Sequence, residues 1–229
     1  DASIILKQIE SNSIDLVVTS PPYDALRKYK NKIGEKDYNG FSFPFEEIAN
    51  ELYRVIKKGG VIVWVVGDQV IKGSESGASF KQALYFMNLG FNLHDTMIYQ
   101  KNGAPYPEIS RYYQNFEYMF VFSKGYPKTV NLLKDRKNRW AGFSSFGDSS
   151  KRTKDGELIK RDDKYVTQEY GVRFNIWKIN SGYGYTSKDK ITHNHPAPFP
   201  EELAEDHILS WSNEGDTILD PMCGSGTTC

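Results

Sequence analysis

Two rhythms of apolar and polar positions alternate along this chain. Ile14-Asp15-Leu16-Val17-Val18-Thr19 is a short β-branched run followed by Pro21-Pro22, and it predicts a buried strand. Phe45, Ile48, Leu52, Val55 and Ile56 then recur at helical spacing, with Gly59-Gly60 expected to end that helix. Val61 to Val66 reads as the next buried strand, ending at Gly67-Asp68. A helix over Ser79 to Asn88 is stopped by Gly90, and strand-like runs follow at Leu93 to Gln100 and Phe116 to Phe122. After a long polar stretch, Pro200 to Ser212 reads as a helix and Asp216 to Asp220 as a strand. Strands alternating with helices predict an α/β fold with a parallel or mixed sheet covered on both faces.

One segment breaks the rhythm. Between Asn131 and Lys164, ten cations face six acids, a local excess of four positive charges. The cations are Lys134, Arg136, Lys137, Arg139, Lys151, Arg152, Lys154, Lys160, Arg161 and Lys164, interleaved with Trp140, Phe143 and Phe146. The whole chain of 229 residues is neutral, with 29 basic and 29 acidic residues, so the remainder carries four net negative charges. A basic insert in an otherwise acidic domain fits a solvated loop, and beside the motifs below it fits nucleic-acid contact better. The two cysteines, Cys223 and Cys229, have no metal or redox spacing, which argues for a reducing compartment without disulfides. No signal peptide, apolar run of membrane-spanning length or internal repeat is visible, so a cytoplasmic protein is expected. The stop at Cys229, directly after a turn that should open a helix, reads as truncation of a single domain spanning 1–229.

Candidate chemistry sits at both ends. Ser20-Pro21-Pro22-Tyr23 follows a strand, where open α/β sheets place ligands. Two prolines remove two N–H donors, so the loop offers acceptors. The Ser20 hydroxyl and the Pro21 carbonyl could take both hydrogens of a ring amine and favour a pyramidal nitrogen, while Tyr23 stacks on the ring. A base reaches such a pocket only by leaving the helical stack. The same four residues also fit an ordinary proline-rich turn. At the other end, Asp220-Pro221-Met222-Cys223-Gly224-Ser225-Gly226-Thr227-Thr228 is a glycine-rich strand–helix connection. No Lys follows Gly226, which excludes a phosphate-cradling Walker loop, but N–H groups at a helix mouth could bind a carboxylate. His193 and His195, with Cys223 downstream, lack the further spaced ligands a metal site needs. A proline-rich lead into a helix is the better reading of 192–203.

Taken in order, these motifs resemble the DNA amino-methyltransferases that use S-adenosylmethionine, in the permuted group whose catalytic motif precedes the cofactor motif. The resemblance covers nearly the whole chain. It implies a doubly wound mixed sheet of the Rossmann-like methyltransferase kind. It makes Ser20, Pro21, Pro22 and Tyr23 the catalytic motif and His195-Pro196-Ala197-Pro198-Phe199-Pro200 the lead into a cofactor-side helix. The cofactor residues it implies are Asp1, Ala2, His195, Pro196, Phe199, Asp220, Pro221, Cys223, Gly224, Ser225, Gly226 and Thr227. Asp1 would meet the adenine amine of the cofactor. The basic insert 131–164 falls where the family carries its target-recognition region, so Lys134, Arg136, Lys137, Arg139, Lys151 and Arg152 become DNA-binding candidates. Arg27, in the segment after the catalytic motif, joins them.

In that family Ser-Pro-Pro-Tyr goes mostly with cytosine N4 and Asp-Pro-Pro-Tyr with adenine N6. The expected activity is therefore methylation of cytosine N4 in duplex DNA, without metal or covalent intermediate. Adenine-N6 methylation on the same scaffold, or a catalytically silent DNA-binding fragment, are the alternatives. A cognate restriction endonuclease and a homodimer are partners the resemblance admits; a membrane is not. Three further segments carry open readings. Gly67-Asp68-Gln69 is either a ligand-side element or a turn, and Tyr106 to Tyr113 either touches DNA or covers the sheet. Arg173 to Trp177 is expected to fill a core edge with Trp177 buried.

Overall fold

The computed structural model describes residues 2–22, 43–103, 109–145, 150–160, 165–182, 185–187, 199–224 and 226–229. In chain order the elements are α1 (Ala2–Leu6), β1 (Ile14–Thr19), α2 (Phe45–Val55), β2 (Ile56–Val66), β3 (Val70–Ile71), β4 (Ser74–Glu75), α3 (Ala78–Asn88), β5 (Asn92–Gln100) and β6 (Phe116–Ser123). They continue as β7 (Arg136–Lys137), β8 (Ser144–Ser145), β9 (Ser150–Arg152), β10 (Leu158–Lys160), β11 (Tyr165–Val166), β12 (Tyr170–Gly171), β13 (Ile176–Lys178), α4 (Glu201–Trp211) and β14 (Ile218–Leu219). Two compact units result, Asp1–Asn131 with Asn175–Cys229, and Leu132–Phe174. No helix among the described residues is long and apolar enough to cross a membrane.

The first unit is built on a six-stranded sheet in the order β13-β5-β6-β2-β1-β14. β1 pairs in parallel with both β2 and β14, β13 pairs in parallel with β5, and β6 runs against β2 and β5. The sheet is therefore mixed, as the alternating pattern predicts. All six residues of β1 are buried, which is why Leu16-Val17-Val18 reads as a continuous apolar run rather than an alternating one.

Helices cover both faces. Ile62, Trp64 and Val66 of β2 and Phe120 and Phe122 of β6 share one core cluster with Leu6, Ile48, Leu52, Val55, Ala83 and Phe86 from α1, α2 and α3. Phe86 anchors it, with its ring centroid 5.1 Å from that of Trp64 and 4.9 Å from that of Phe122. On the other face α4 buries Leu203, Ala204, His207 and Trp211. His207 stacks on Trp177 of β13 at 4.5 Å, and its Nε2 lies 3.3 Å from Met119 Sδ of β6. Trp177 is buried at the sheet edge, in line with the expectation.

Helix ends explain two local readings and correct a third. Gly90, at φ 108°, closes α3: its N–H bonds Met87 O, and the Phe91 N–H reaches back to Phe86 O. That pair of bonds is the Schellman arrangement, and it requires the left-handed residue glycine supplies. The start of α3 is held by Asp68, whose carboxylate accepts from the Ser79 N–H at 3.1 Å, the Ser76 hydroxyl at 3.1 Å and the Ser79 hydroxyl. Asp68 is buried and anchors a helix N-terminus, so Gly67-Asp68-Gln69 is architectural. Replacing Asp68 with Ala is expected to cost about 1–2 kcal/mol, read as a lower urea midpoint; an unchanged midpoint would show the anchor to be dispensable.

The correction concerns Ile56 and Gly59-Gly60. α2 ends at Val55, and Ile56 already pairs with Ile14 as the first residue of β2. Gly59-Gly60 lies inside the strand, at the register shift opposite Ile14 to Leu16. A Cβ on Gly60 would stand 2.9 Å from the Asp15 carbonyl, and Gly59 has φ 82°. The glycines serve a bulge and close backbone approach rather than a helix stop. The strand expected over Asp216 to Asp220 is likewise shorter, because the Asp216 N–H turns back to Asn213 O and the Thr217 N–H donates to Asp15 Oδ2.

The second unit contains β7 to β12, paired as nested antiparallel ladders: β7 with β12, β8 with β11, β9 with β10. It runs to Phe174, beyond the charge-rich stretch 131–164. Charge marks the outgoing arm and the tip, whereas the returning arm after Tyr165 is only sparsely charged.

Candidate active site

The register of β1 and β14, Leu16 opposite Ile218 and Val17 opposite Leu219, sets the C-terminal ends of the two strands side by side. Ser20, Pro21 and Pro22 leave the end of β1, and Asp220 to Thr228 leave the end of β14. The two segments are joined through one carboxylate. The Thr19 hydroxyl donates to Asp220 Oδ1 at 2.6 Å, the Met222 N–H donates to the same oxygen at 3.0 Å, and the Thr228 hydroxyl donates to Oδ2 at 2.9 Å. Burial raises the Asp220 carboxyl above its usual range, although these three donors pull the other way. Thr19 is completely buried, so the joint is enclosed on the β1 side. Residues 201 positions apart in sequence thus form one rim.

Two positive-φ glycines shape the loop, Gly224 at 51° and Gly226 at 84°. The Gly226 N–H bonds Cys223 O at 2.7 Å and the Cys229 N–H bonds Gly226 O at 3.0 Å, giving two consecutive tight turns. A Cβ on Gly226 would meet nothing within 4 Å, so the space before it is open. A glycine-rich loop at the mouth of a parallel strand, open at Gly226 among the described residues, fits a small ligand approached by backbone. Cys223 and Cys229 are exposed free thiols. Partial desolvation of its sulfur, with the nearby Asp220 and Cys229, shifts the Cys223 thiol upward from its usual range.

β1 feeds α2 on one sheet face, whereas β14 is fed by α4 on the other. A crevice at the carboxyl ends of strands whose helices lie on opposite faces is where open α/β sheets hold ligands. α4 runs back along the sheet, so its start lies at this same end. Pro200 sits just before it, extended at φ −63° and ψ 134°, with Glu201 and Glu202 in the first turn. The Glu201 N–H bonds Thr186 O, and its carboxylate accepts from the Ser187 hydroxyl. Phe199 is half-buried beside Pro200.

Of the catalytic candidates, Ser20 and Pro22 are half-buried and Pro21 is buried at the rim; Tyr23 lies outside the described residues. Ala2 opens α1 and packs against the core cluster. Pro221 is half-buried, Cys223 and Gly224 are exposed, and Thr227 is half-buried in the loop. Asp1, Arg27, His193, His195, Pro196 and Ser225 lie outside the described residues. Lys134, Arg136, Lys137, Arg139, Lys151 and Arg152 all belong to the second unit. Arg136 is engaged there, with its guanidinium 4.5 Å over the Phe174 ring and its Nε–H donating to Val172 O. Of the segment Tyr106 to Tyr113, residues 106–108 lie outside the described residues, and Tyr112 and Tyr113 are exposed and do not cover the sheet. Sequence reasoning missed Thr19 and Thr228. Thr228 carried a signal, because it closes the motif whose acid it bonds; Thr19 carried none, because the motif beside it holds no acid.

Comparison with known proteins places this geometry. A family model described as DNA methylase (N6_N4_Mtase) matches residues 14–229. The orphan methyltransferase M.BamHII of Bacillus amyloliquefaciens is 60% identical over 216 residues, which span 94% of this chain and 78% of that protein. A candidate DNA modification methylase of Thermus thermophilus, solved in complex with S-adenosyl-L-methionine, superposes with a TM-score of 0.57 at 25% identity, covering 100% of this chain and 80% of that one. The cytosine-N4-specific PvuII DNA methyltransferase shares the fold, with a TM-score of 0.65 at 21% identity over 100% of this chain and 74% of that one.

Proposed function

Because the chain belongs to the DNA methylase family (N6_N4_Mtase), we propose that it transfers a methyl group from S-adenosylmethionine to the exocyclic N4 of cytosine at specific sites in duplex DNA. The observation that carries this reading is the rim itself. Parallel pairing of β1 with β14 sets Ser20-Pro21-Pro22 beside the open Gly224–Gly226 loop, with the Asp220 carboxylate bonded to both sides.

The cofactor loop supplies backbone N–H groups suited to the carboxylate of the methionine moiety. Asp220 shapes that loop, and Phe199 and the start of α4 are assigned to the cofactor side by family likeness. Asp1, Ala2, His195 and Pro196 are assigned to the cofactor by family likeness. When bound, this cofactor carries a methyl group on a positively charged sulfur, so forming the bond to nitrogen breaks only the sulfur–methyl bond.

On the substrate side, the target base leaves the stack and rests on Tyr23. The Ser20 hydroxyl and the Pro21 carbonyl accept the two amine hydrogens and aim the nitrogen lone pair at the cofactor side. The amine then releases one proton to solvent. Catalysis is by proximity and orientation: the rim holds two reactants that would otherwise meet by diffusion. The choice of cytosine rests on Ser at position 20, where adenine-type relatives carry Asp. The cations of the second unit, together with Arg27, supply phosphate contacts, so binding should weaken steeply with salt.

The test is chemical. The purified protein is incubated with labelled S-adenosylmethionine and mixed-sequence duplex DNA, and the DNA is digested to nucleosides. Label in N4-methylcytosine is the expected result. Label in N6-methyladenine would keep the reaction and overturn the base assignment, and no label in DNA would overturn the function.

A further inference from the structure

The chain does not turn straight from β2 into α3. Past Val66 it runs through Gly67-Asp68-Gln69 into a short antiparallel hairpin, β3 with β4, before the helix begins. β1 and β2 are parallel, with Thr19 opposite Trp64. The hairpin therefore rises from the same end of the sheet as Ser20-Pro21-Pro22, one strand away. β6 runs against both β2 and β5, so the β5–β6 connection reaches that end as well. The two projections touch: Arg111 of the connection donates from Nη2 to Gly73 O of the hairpin turn at 2.8 Å.

A lone hairpin of this length is not stable in water, and this one is held at both ends. At its root the Ser76 N–H bonds Gln69 O at 2.8 Å, and the Ser76 hydroxyl donates to the buried Asp68 carboxylate. At its turn Arg111 holds the Gly73 carbonyl. Lys72 and Gly73 have φ 50° and 80°, the positive pair that a tight two-residue hairpin turn demands. Asn, Asp or Gly suits the first of these positions best, so Lys72 places a cation at the tip at a conformational cost. Register sorts the side chains: Ile71 lies opposite Ser74 on one face, and Val70 opposite Glu75 on the other. Ile71 borders the turn, is stiff at χ1 and is 50% exposed, so core packing does not account for it. The only acid of the hairpin, Glu75, is on the other face. Lys72, Lys81 and Arg111 outnumber it around the hairpin, and Tyr112, next to Arg111, is 99% exposed.

We propose that the β3–β4 hairpin is a wedge for the DNA stack: as the target base swings to Ser20, Ile71 enters the gap it leaves and Lys72 meets the neighbouring phosphate. This rests on the DNA-methylation reading above. A duplex can present a base to Ser20 only by lying across the carboxyl end of the sheet, where the hairpin and Arg111-Tyr112 project. A base that leaves the helix strips its neighbours of stacking, and apolar side chains pushed between base steps hold such openings. An ammonium one residue away neutralises backbone charge without reading sequence. Because root and turn are both fixed, the tip needs little ordering when it binds.

The test separates a wedge from a general DNA contact. Single-turnover methylation by wild type, Ile71→Ala and Ile71→Leu is followed on two duplexes of one methylated sequence. One is fully paired; the other has an abasic position opposite the target base, which leaves little pairing to break. Ile71→Ala is expected to be at least about tenfold slower on the paired duplex and close to wild type on the abasic one. Ile71→Leu, still apolar and long enough to fill the gap, is expected to keep both rates. The paired-to-abasic ratio is read on one preparation, so any loss of folded protein cancels. An unchanged ratio in Ile71→Ala, whether both rates hold or both fall alike, overturns the wedge. A wild type that labels no DNA overturns the DNA-methylation reading, and this assignment with it.

Discussion

Asp220→Ala is expected to abolish both cofactor binding and methyl transfer, a loss of at least hundredfold. The carboxylate accepts from the Thr19 hydroxyl, the Met222 N–H and the Thr228 hydroxyl, so one truncation loosens the end of β1, the start of the loop and its far end together, leaving Thr228 only its longer bond to the Val18 carbonyl. Bonds to a charged partner contribute about 1.5–3 kcal/mol each, and losing them should also lower the melting temperature. Asp220→Asn separates the two effects. Burial raises the Asp220 carboxyl above the usual 3.8, so the folded state holds this proton more tightly than the unfolded chain does. The stability linked to this group is therefore full below pH 3.8, falls as pH rises through the folded value, and stays lower above it. At neutral pH the amide removes a desolvated charge while keeping the shape. Asp220→Asn is accordingly expected to hold or raise the melting temperature while still impairing the loop. Calorimetry of S-adenosylmethionine binding beside thermal melting reads both. Unaltered binding by Asp220→Ala would remove the carboxylate from the architecture of the site.

Ser20→Ala is expected to cut turnover by about 10²–10³-fold with little change in cofactor affinity. Ser20 stands half-buried directly after β1, next to the enclosed Thr19 that ends the strand. Its hydroxyl is assigned one amine hydrogen, and the Pro21 carbonyl, which no side-chain substitution removes, takes the other. Losing one of two acceptors leaves the nitrogen lone pair delocalised into the ring. Single-turnover rates with prebound cofactor isolate this step. Wild-type turnover would refute the assigned role.

The sheet was legible wherever burial is two-sided, because Leu16–Val18, Val61–Val66 and Met119–Phe122 then read as continuous apolar runs. Where one residue type serves two structures it was not. Gly59-Gly60 after a helical pattern looks like a stop, and only the pairing of Ile56 with Ile14 shows that the strand has already begun. The second unit was half legible: its cations announced an insert, but its pairing is non-local, and a sparsely charged returning arm resembles any polar connection. The chemistry at the two ends was legible as two motifs. Their meeting through Thr19 was not, since a buried Thr closing a strand carries no sign of which distant acid it will bond.

That late meeting bears on how the protein is made. β1 finds β2 within its first 66 residues, but its other edge waits for Ile218–Leu219. At common synthesis rates the interval is on the order of ten to thirty seconds. Throughout it the nascent chain carries an apolar strand with one row of unpaired N–H and C=O groups, a template for wrong partners. Half of the proposed active site thus leaves an open strand edge on the unfinished polypeptide, and slower translation of Leu132–Phe174 would lengthen its exposure.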